Sequence, residues 1–368
     1  MNRSAAAFLR ITTAAALAST AAAAAIVIVN AGPRTPRAPR ADGATFEISN
    51  TIYTGLCDAS AAVGLSPTQF AVLNDEDNHL RFYTVGNGTP SHEDIDLDVF
   101  LDTADDKEAD IEGAARIGDL VYWISSHGRN SSGEFQKRRL RLFATRVTPS
   151  GPKPLEVQGT PYRDLLEKFI EPILNAEGFT AIPGGKPDPK KAPEQEGSLN
   201  IEGLAASGNS LLIGFRNPQP KVNGASRALV VELKNPAALI TATPAAPEKG
   251  EVFRLDLGKD RGVRSIEALP DGRGFAIIAG PFNDTGTFAL YRWDGTQANQ
   301  PVLVPGIDFK DFVPEAMFVD QPPSGSNGSG LSLTLMSDDG GRKGSDGVQC
   351  KDKPKTEWKT RLGKIRIS

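Results

Sequence analysis

Residues 110–115 read DIEGAA, and versions of this stretch recur along most of the chain. LCDASAAV begins at Leu56, LNIEGLAA at Leu199, RSIEALPD at Arg264 and VPEAMFVD at Val313. In each, an acid (Asp58, Glu112, Glu202, Glu267 or Glu315) leads a small residue and then an apolar one. We read these as the opening of the same strand in successive blades of a β-propeller.

The sequence between the motifs supports that reading. After each acid comes a short turn (LSPTQ, IGDL, SGNS, PDGR), then a strongly apolar run: FAVL at Phe70, VYWIS at Val121, LLIGF at Leu211, FAIIAG at Phe275 and LSLTLM at Leu331. A polar break follows each run (NDEDN, SHGRN, RNPQP, PFNDTG, SDDGG), and then a third strand: LRFYTV at Leu80, LRLFATRV at Leu140, ALVVEL at Ala228, FALYRW at Phe288 and LGKIRI at Leu362. Weaker fourth strands are expected in DIDLDVF near Asp94, PLEV at Pro154, VFRLDL at Val252 and PVLVPG at Pro301. Short strands separated by turn residues at this spacing make four-stranded blades. The last blade runs out of chain after its third strand, and TFEISN over 45–50 is expected to complete it and close the ring, leaving no open edge.

The expected fold is therefore all-β: a propeller of five four-stranded blades, or six if the long interval hides a degenerate one. The acids stand 54, 90, 65 and 48 residues apart, and the 90-residue gap carries the extra content. PYRDLLEKFIEPILNAE, from Pro161 to Glu177, places Leu165, Leu166, Phe169, Ile170, Ile173 and Leu174 on one helical face. A Pro-, Lys- and Gly-rich loop follows to Ser198. This insertion, residues 155–198, is read either as a lid or as a pad covering the sheet.

The N-terminus lies outside the propeller, which is taken as one domain over 45–368. Arg3 and Arg10 precede an Ala-rich apolar run from Ile11 to Val29, so residues 1–31 read as a cleaved secretory signal, with an uncleaved anchor as the alternative. No Cys follows the run, which argues against a lipoprotein. Residues 32–44 are a basic, Pro-rich linker. The expected location is exported, periplasmic or secreted, as a monomer with no membrane span once the signal is removed. Of 41 basic residues two lie in the signal, leaving 39 against 45 acids and a formal charge of −6. Such a chain has no basic stripe for nucleic acid, and that function class is set aside. In an oxidising compartment the two cysteines, Cys57 and Cys350, point to a disulfide tying the first blade to the last; two free or buried thiols are the other reading.

Several segments together (DASAAV, NDEDNHLR, DIEGAARIGDLVYWISSHGRN, LNIEGLAA, LLIGFRNP, FALYRWDG and MSDDG) resemble the bacterial family known as domain of unknown function 3616, over about residues 45–368. The resemblance implies an exported propeller in the style of the phytase-like propellers. The family has no settled activity, so it carries no catalytic residue onto this chain.

Topology converts the repeats into a site. If each acid opens an innermost strand, the second strand returns to the same end of the channel, and the polar break beyond it lies on the acids' face. Asp58, Glu112, Glu202, Glu267 and Glu315 are thus expected to ring one mouth as metal ligands. The surrounding loops carry Asp75, Asp77, His127, Arg129, Asn130, Arg216, Asn217, Asn283, Asp284, Asp338 and Asp339. Clustered carboxylates need protons, arginine partners or a cation. An all-oxygen set favours calcium over zinc, and with only His79, His92 and His127 a multi-histidine site is excluded. An acid accepting backbone N–H bonds at each strand start is the structural alternative. Arg129 and Arg216 suit a phosphate or carboxylate, unless they pair with neighbouring acids, and His127 suits general acid–base work, unless it is bonded to backbone. Asn130, Asn217, Asn283, Asp338 and Asp339 are candidate substrate contacts. Two functions fit: a divalent-metal-dependent hydrolase of phosphoesters or similar anions, with His127, Arg129 and Arg216 as its catalytic groups, and a non-catalytic propeller binding a small anionic ligand or an envelope protein.

Overall fold

Antiparallel pairing follows the apolar runs closely. In a computed structural model, which describes residues 43–103, 107–179, 191–283, 285–320 and 331–367, five four-stranded sheets succeed one another along the chain. The expected signal (1–31), nearly all of the linker (32–44), residues 180–190 of the insertion and Asp284 lie outside the described residues.

Blade 1 comprises Ala59–Gly64, Gln69–Asn74, His79–Thr84 and Asn87–Pro90, and blade 2 comprises Ile111–Ile117, Leu120–Ser125, Leu142–Val147 and Leu155–Tyr162. Blade 3 is Asn200–Ser207, Ser210–Asn217, Ala228–Leu233 and Lys249–Leu255; blade 4 is Arg261–Ala268, Phe275–Pro281, Ala289–Trp293 and Val302–Leu303. Blade 5 takes Pro314–Val319, Leu331–Ser337 and Lys359–Ile367 from the end of the chain and Ala44–Thr54 from its beginning. The expected closure is present: Ala44 pairs with Ile367, Phe46 with Ile365 and Ile48 with Gly363.

The second strand of each blade reads as a largely apolar run because both of its faces are buried. Ala61, Leu73 and Phe82 of blade 1 pack on Val121, Trp123 and Phe143 of blade 2. Ile124 of blade 2 meets Ile213 of blade 3, Val230 of blade 3 meets Ile277 of blade 4, and Ile278 of blade 4 meets Leu335 of blade 5. Phe318 and Met336 of blade 5 return to Phe70 and Val72 of blade 1. Five inter-blade cores make a closed cycle, so the fold has five blades. No sixth four-stranded sheet occurs among the described residues of the 90-residue interval.

Two details differ from the sequence expectation. The outer strand of blade 1 is Asn87–Pro90, not the segment near Asp94, because Gly86 (φ 85°) reverses the chain directly after Thr84. Ile95–Asp96 then pairs only with the start of His79–Thr84, and Asp98–Leu101 forms a helical turn that buries Leu101. The helical insertion winds as a wide turn over Leu166–Ile170 followed by an α-helix over Glu171–Ala176. All six of its expected face residues are buried in the core between blades 2 and 3, beside Tyr122, Leu142 and Leu211. It is a pad on the sheets rather than a lid.

The expected disulfide is formed. Cys57, just before blade 1, is bonded to Cys350 in the loop between the second and third strands of blade 5, with Cα atoms 5.9 Å apart and Trp358 packed against the bridge.

Candidate metal centre

Each inner strand carries one residue that its partner strand does not match: Ser60, Glu112, Glu202, Arg264 and Glu315. A bulge residue drops out of the ladder and has its side chain re-aimed. The five positions are equivalent around the axis, and Ser60, Glu112 and Glu202 line a narrow channel there. The ring is therefore Ser–Glu–Glu–Arg–Glu, and not the five acids expected from the sequence. Asp58 lies two residues before the blade 1 bulge. Glu267 lies three residues beyond the blade 4 bulge, about 10 Å along a strand, where Val319 supplies a backbone hydrogen bond and burial raises its carboxyl to about 8.

Arg264 neutralises one half of this ring. Its Nε lies 2.7 Å from Glu202 Oε2, off the line of a hydrogen bond, and its other arm meets Glu315. Arg216 contacts Glu202 Oε1 at 3.0 Å and donates to the Phe282 carbonyl at 3.0 Å. All four side chains are buried. Burial works against the Arg264 charge, but Glu202 and Glu315 together hold its pKa above the ordinary value. Burial raises Glu315 to about 8, with Arg264 opposing. Arg216, expected to hold a substrate anion, is thus paired with an acid of the ring.

The other half of the mouth, where blades 5, 1 and 2 meet, is crowded with carboxylates. Oxygens of Asp58, Asp75 and Glu76 all lie within 4.8 Å of one another, as do those of Asp75, Asp110 and Glu112, so Asp75 joins two triads. The backbone fixes this cluster: Asn74 Oδ1 accepts from Asp58 N at 2.7 Å, Asp75 N donates to the Asp58 carbonyl at 3.2 Å, and Asp58 forms a β-bridge with Asp338. Asp58 is 4 % exposed, yet its Oδ2 has no hydrogen-bond partner, and neither has Asp75 Oδ1. Burial, then the neighbouring Asp75, pushes Asp58 up to about 12. Burial and Glu112 raise Asp75 well above the carboxylate range, and burial and Asp110 do the same to Glu112. Asp110 is also raised by burial, although Arg139 at 2.8 Å opposes it and Ser126 donates to it. At the rim Lys351 holds Glu76 at 2.9 Å. Buried carboxylate oxygens without donors, grouped within bridging distance, form a donor set for a hard cation. Among the five expected ligands, Asp58 and Glu112 belong to this cluster, whereas Glu202, Glu267 and Glu315 do not. The cluster adds Asp75, Glu76 and Asp110, whose proximity comes from one loop of blade 1 and the strand start of blade 2, which no single repeat contains.

The remaining candidates are spread around the same face. His127 has a positive φ of 54°, its Nδ1 bonds the Ser125 carbonyl at 2.8 Å, and burial lowers its pKa to about 4, so it is neutral. Its Nε2 is buried with no hydrogen-bond partner. Arg129 donates to Gly133 O at 3.0 Å, and Asn130 Oδ1 accepts from Glu134 N at 2.7 Å, both within their own loop. Asn217 is buried and donates to Pro193 O at 2.9 Å, pinning the end of the insertion. Asp339 is clamped by Arg361 at 2.6 Å, and Asn283 caps a surface turn through Thr285 N at 3.0 Å. Asp338 accepts from Gly340 N at 3.0 Å beside Asp58. Arg216, Asn217 and Asp339 therefore serve the fold, a role their sequence context did not reveal.

Comparison with known proteins gives distant similarities and no activity. Similar solved structures include glutaminyl cyclase of Myxococcus xanthus, at 9 % identity and a TM-score of 0.41, covering 89 % of this chain and 99 % of that one. Another is the PQQ-bound aldose sugar dehydrogenase of Streptomyces coelicolor, at 12 % identity and a TM-score of 0.39, covering 89 % and 100 %. The major allergen Mala s 1 of Malassezia sympodialis is similar at 12 % identity and a TM-score of 0.38, covering 83 % and 77 %. No curated protein matches the chain. Residues 186–310, which contain LNIEGLAA, LLIGFRNP and FALYRWDG, match the family described as protein of unknown function (DUF3616), and this is the family that the chain resembles.

Proposed function

We propose that this propeller binds a divalent cation, calcium in the first place, among Asp58, Asp75, Asp110 and Glu112, and takes up a small anionic ligand through that cation. The observation that carries the proposal is the pair of buried, donor-less oxygens, Asp58 Oδ2 and Asp75 Oδ1, inside a cluster of carboxylates. An ion there would replace the protons that the cluster otherwise retains, and an all-oxygen donor set suits calcium. Glu76 marks the exposed edge of the cluster, from which a ligand would reach the ion. The proposal extends to an exported, monomeric protein. The Cys57–Cys350 disulfide fits an oxidising compartment, and among the described residues no helix is long and apolar enough to cross a membrane.

Metal-dependent hydrolysis of a phosphoester or similar anion is the second reading, favoured by neutral His127 with its unpartnered Nε2 next to Ser126, which holds Asp110. In that reading the cation supplies an activated water and His127 moves a proton.

A calcium titration of the folded protein, followed by melting temperature with EDTA as reference, tests the proposal. Saturation at about 100 times Kd adds about 2.7 kcal/mol of stability. Wild type should gain it and Asp75→Asn should not; equal curves with calcium and with EDTA reject the site. Turnover of phosphoester substrates that depends on calcium and is lost in His127→Ala would select the hydrolase.

A further inference from the structure

On the periphery of the same face, blade 2 and the helical pad enclose a cleft of about 1050 Å³, far larger than the channel. Its apolar wall is Phe135, Leu140 and Leu166, and its cationic wall includes Lys107, Lys137 and Arg141. Arg141 is unusual. Its side chain is buried, and its donors go to main-chain carbonyls: Leu101 at 2.7 Å, Lys137 at 2.8 Å, Leu140 at 3.0 Å and Asp102 at 3.4 Å. No carboxylate among the described residues forms an ion pair with it, nor with Lys107 or Lys137. Burial, with Arg163 nearby, lowers Arg141 to about 10, so it still carries its charge at neutral pH.

Four acids line the cleft, Asp102, Asp164, Glu167 and Glu171, and the first two are held by neighbouring cations. Asp102 is paired with Arg163 at 2.7 Å and Asp164 with Lys168 at 2.6 Å. Arg138 is drawn to Glu108 at 3.1 Å, on the side towards the channel mouth. A buried guanidinium tied only to carbonyl dipoles, two exposed lysines and an aromatic–aliphatic wall are thus gathered in one concavity. Concave sites of this size with an apolar lining and a few convergent charges are typical of small-molecule binding.

We propose that the cleft between blade 2 and the pad is a binding site for an organic anion, with a carboxylate or phosphate group drawn to Lys107, Lys137 and Arg141 and an apolar body against Phe135, Leu140 and Leu166. This does not rest on the cation site. The buried Arg141 supplies a fixed charge that water screens poorly, while the lysines at the rim adjust to the anion.

The test uses the full exported chain in EDTA, so that no ion at the channel mouth contributes. Calorimetric titrations would compare 1-naphthylmethylphosphonate, 1-naphthoate, inorganic phosphate and 1-naphthol. The first two should bind and weaken with added salt, and their ratio separates a phosphate site from a carboxylate site. Phosphate, lacking the apolar body, and naphthol, lacking the charge, should bind at least about tenfold more weakly, since each loses one of the two interactions. The double variant Lys107→Ala/Lys137→Ala, at two exposed positions, should lower affinity for the aromatic anions about tenfold with its melting temperature unchanged. Leu140→Asp, at the apolar wall, should abolish binding. No binding by wild type to any aromatic anion, or equal affinity in wild type and the lysine variant, overturns the proposal.

Discussion

Arg264 of blade 4 stands 2.7 Å from Glu202 of blade 3, and both occupy the bulge position of their inner strands. The same guanidinium meets Glu315, the bulge residue of blade 5. One cation supplied by the chain therefore serves two of the three glutamates in the ring. Removing it strips Glu315 of that guanidinium and leaves Glu202 with Arg216 and Asn200, and breaking a buried pair from one side costs about 3–5 kcal/mol. Arg264→Met should lower the urea midpoint accordingly, and Arg264→Met/Glu315→Gln should recover part of the loss. An unchanged midpoint in the single variant would show that the pairs contribute nothing.

On the opposite side Arg139 takes Asp110, but no arginine among the described residues forms an ion pair with Asp58, Asp75 or Glu112, and burial favours their protonated forms. Burial and Asp75 push Asp58 up to about 12, while Asp75 and Glu112 are both raised, so cation binding must displace protons. Calcium affinity should rise with pH between 6 and 9. Titration calorimetry in buffers of different ionisation enthalpy should report proton release on binding throughout that window. A pH-independent affinity would place the ion elsewhere.

Glu267 provides a separate pH signature. Burial raises its carboxyl from 4.5 to about 8, with a backbone hydrogen bond from Val319 opposing. Between those values the folded protein keeps the proton and the unfolded chain loses it. The stabilisation is therefore full below about pH 4.5 and is lost as pH rises towards 8. The slope is at most about 1.4 kcal/mol per pH unit, less in practice because the side chain is partly exposed. Glu267→Gln should flatten the stability profile over this window and be more stable than wild type at pH 8 and above.

The propeller was legible because its repeats are physical: Phe275–Pro281 and Leu331–Ser337 are rich in apolar residues since each is covered on both faces. Spelling failed where it conflicted with register. SIEA of blade 4 is written like the IEGA of blade 2, yet the unpaired bulge falls on Arg264, three residues before Glu267. Asp75 and Asp77 stand in the same loop and look alike in sequence. Only the structure shows that Arg81 takes Asp77 at 2.7 Å while Asp75 turns towards Asp58 and Glu112. The blade 2 cleft left no sequence signal, since Lys107, Arg141 and Leu166 come from three separate segments.

The glycines after Glu112 and Glu202 set how closely the inner strands approach. A Cβ on Gly203 would lie 2.7 Å from Val263 Cγ1 and 2.9 Å from Ile266 Cγ2 of the next blade. Overpacking of a closed core costs about 1–3 kcal/mol. Gly203→Ala should lose that much stability in urea denaturation, whereas Gly118→Ser, which meets nothing in space but sits at φ 61°, reports only the backbone cost. Equal losses would mean that strand proximity is not limiting.

The disulfide connects stability to the cation site. Cys57 precedes Asp58, and its N–H donates to Asn74 Oδ1 at 3.2 Å, the same oxygen that positions Asp58. Its carbonyl accepts from Asp339 at 2.9 Å. On the other side Cys350 precedes Lys351, which holds Glu76 at 2.9 Å. The bridge closes a loop of 293 residues, and loop-closure entropy alone assigns it about 5 kcal/mol as an upper figure. Cys57→Ser/Cys350→Ser should therefore melt lower. It should also bind calcium at least about tenfold more weakly at temperatures where it is still folded, because Asp58 and Glu76 lose the clamp that holds their backbones in register. Lower stability with unchanged calcium affinity would confine the bridge to closing the ring and separate it from the metal centre.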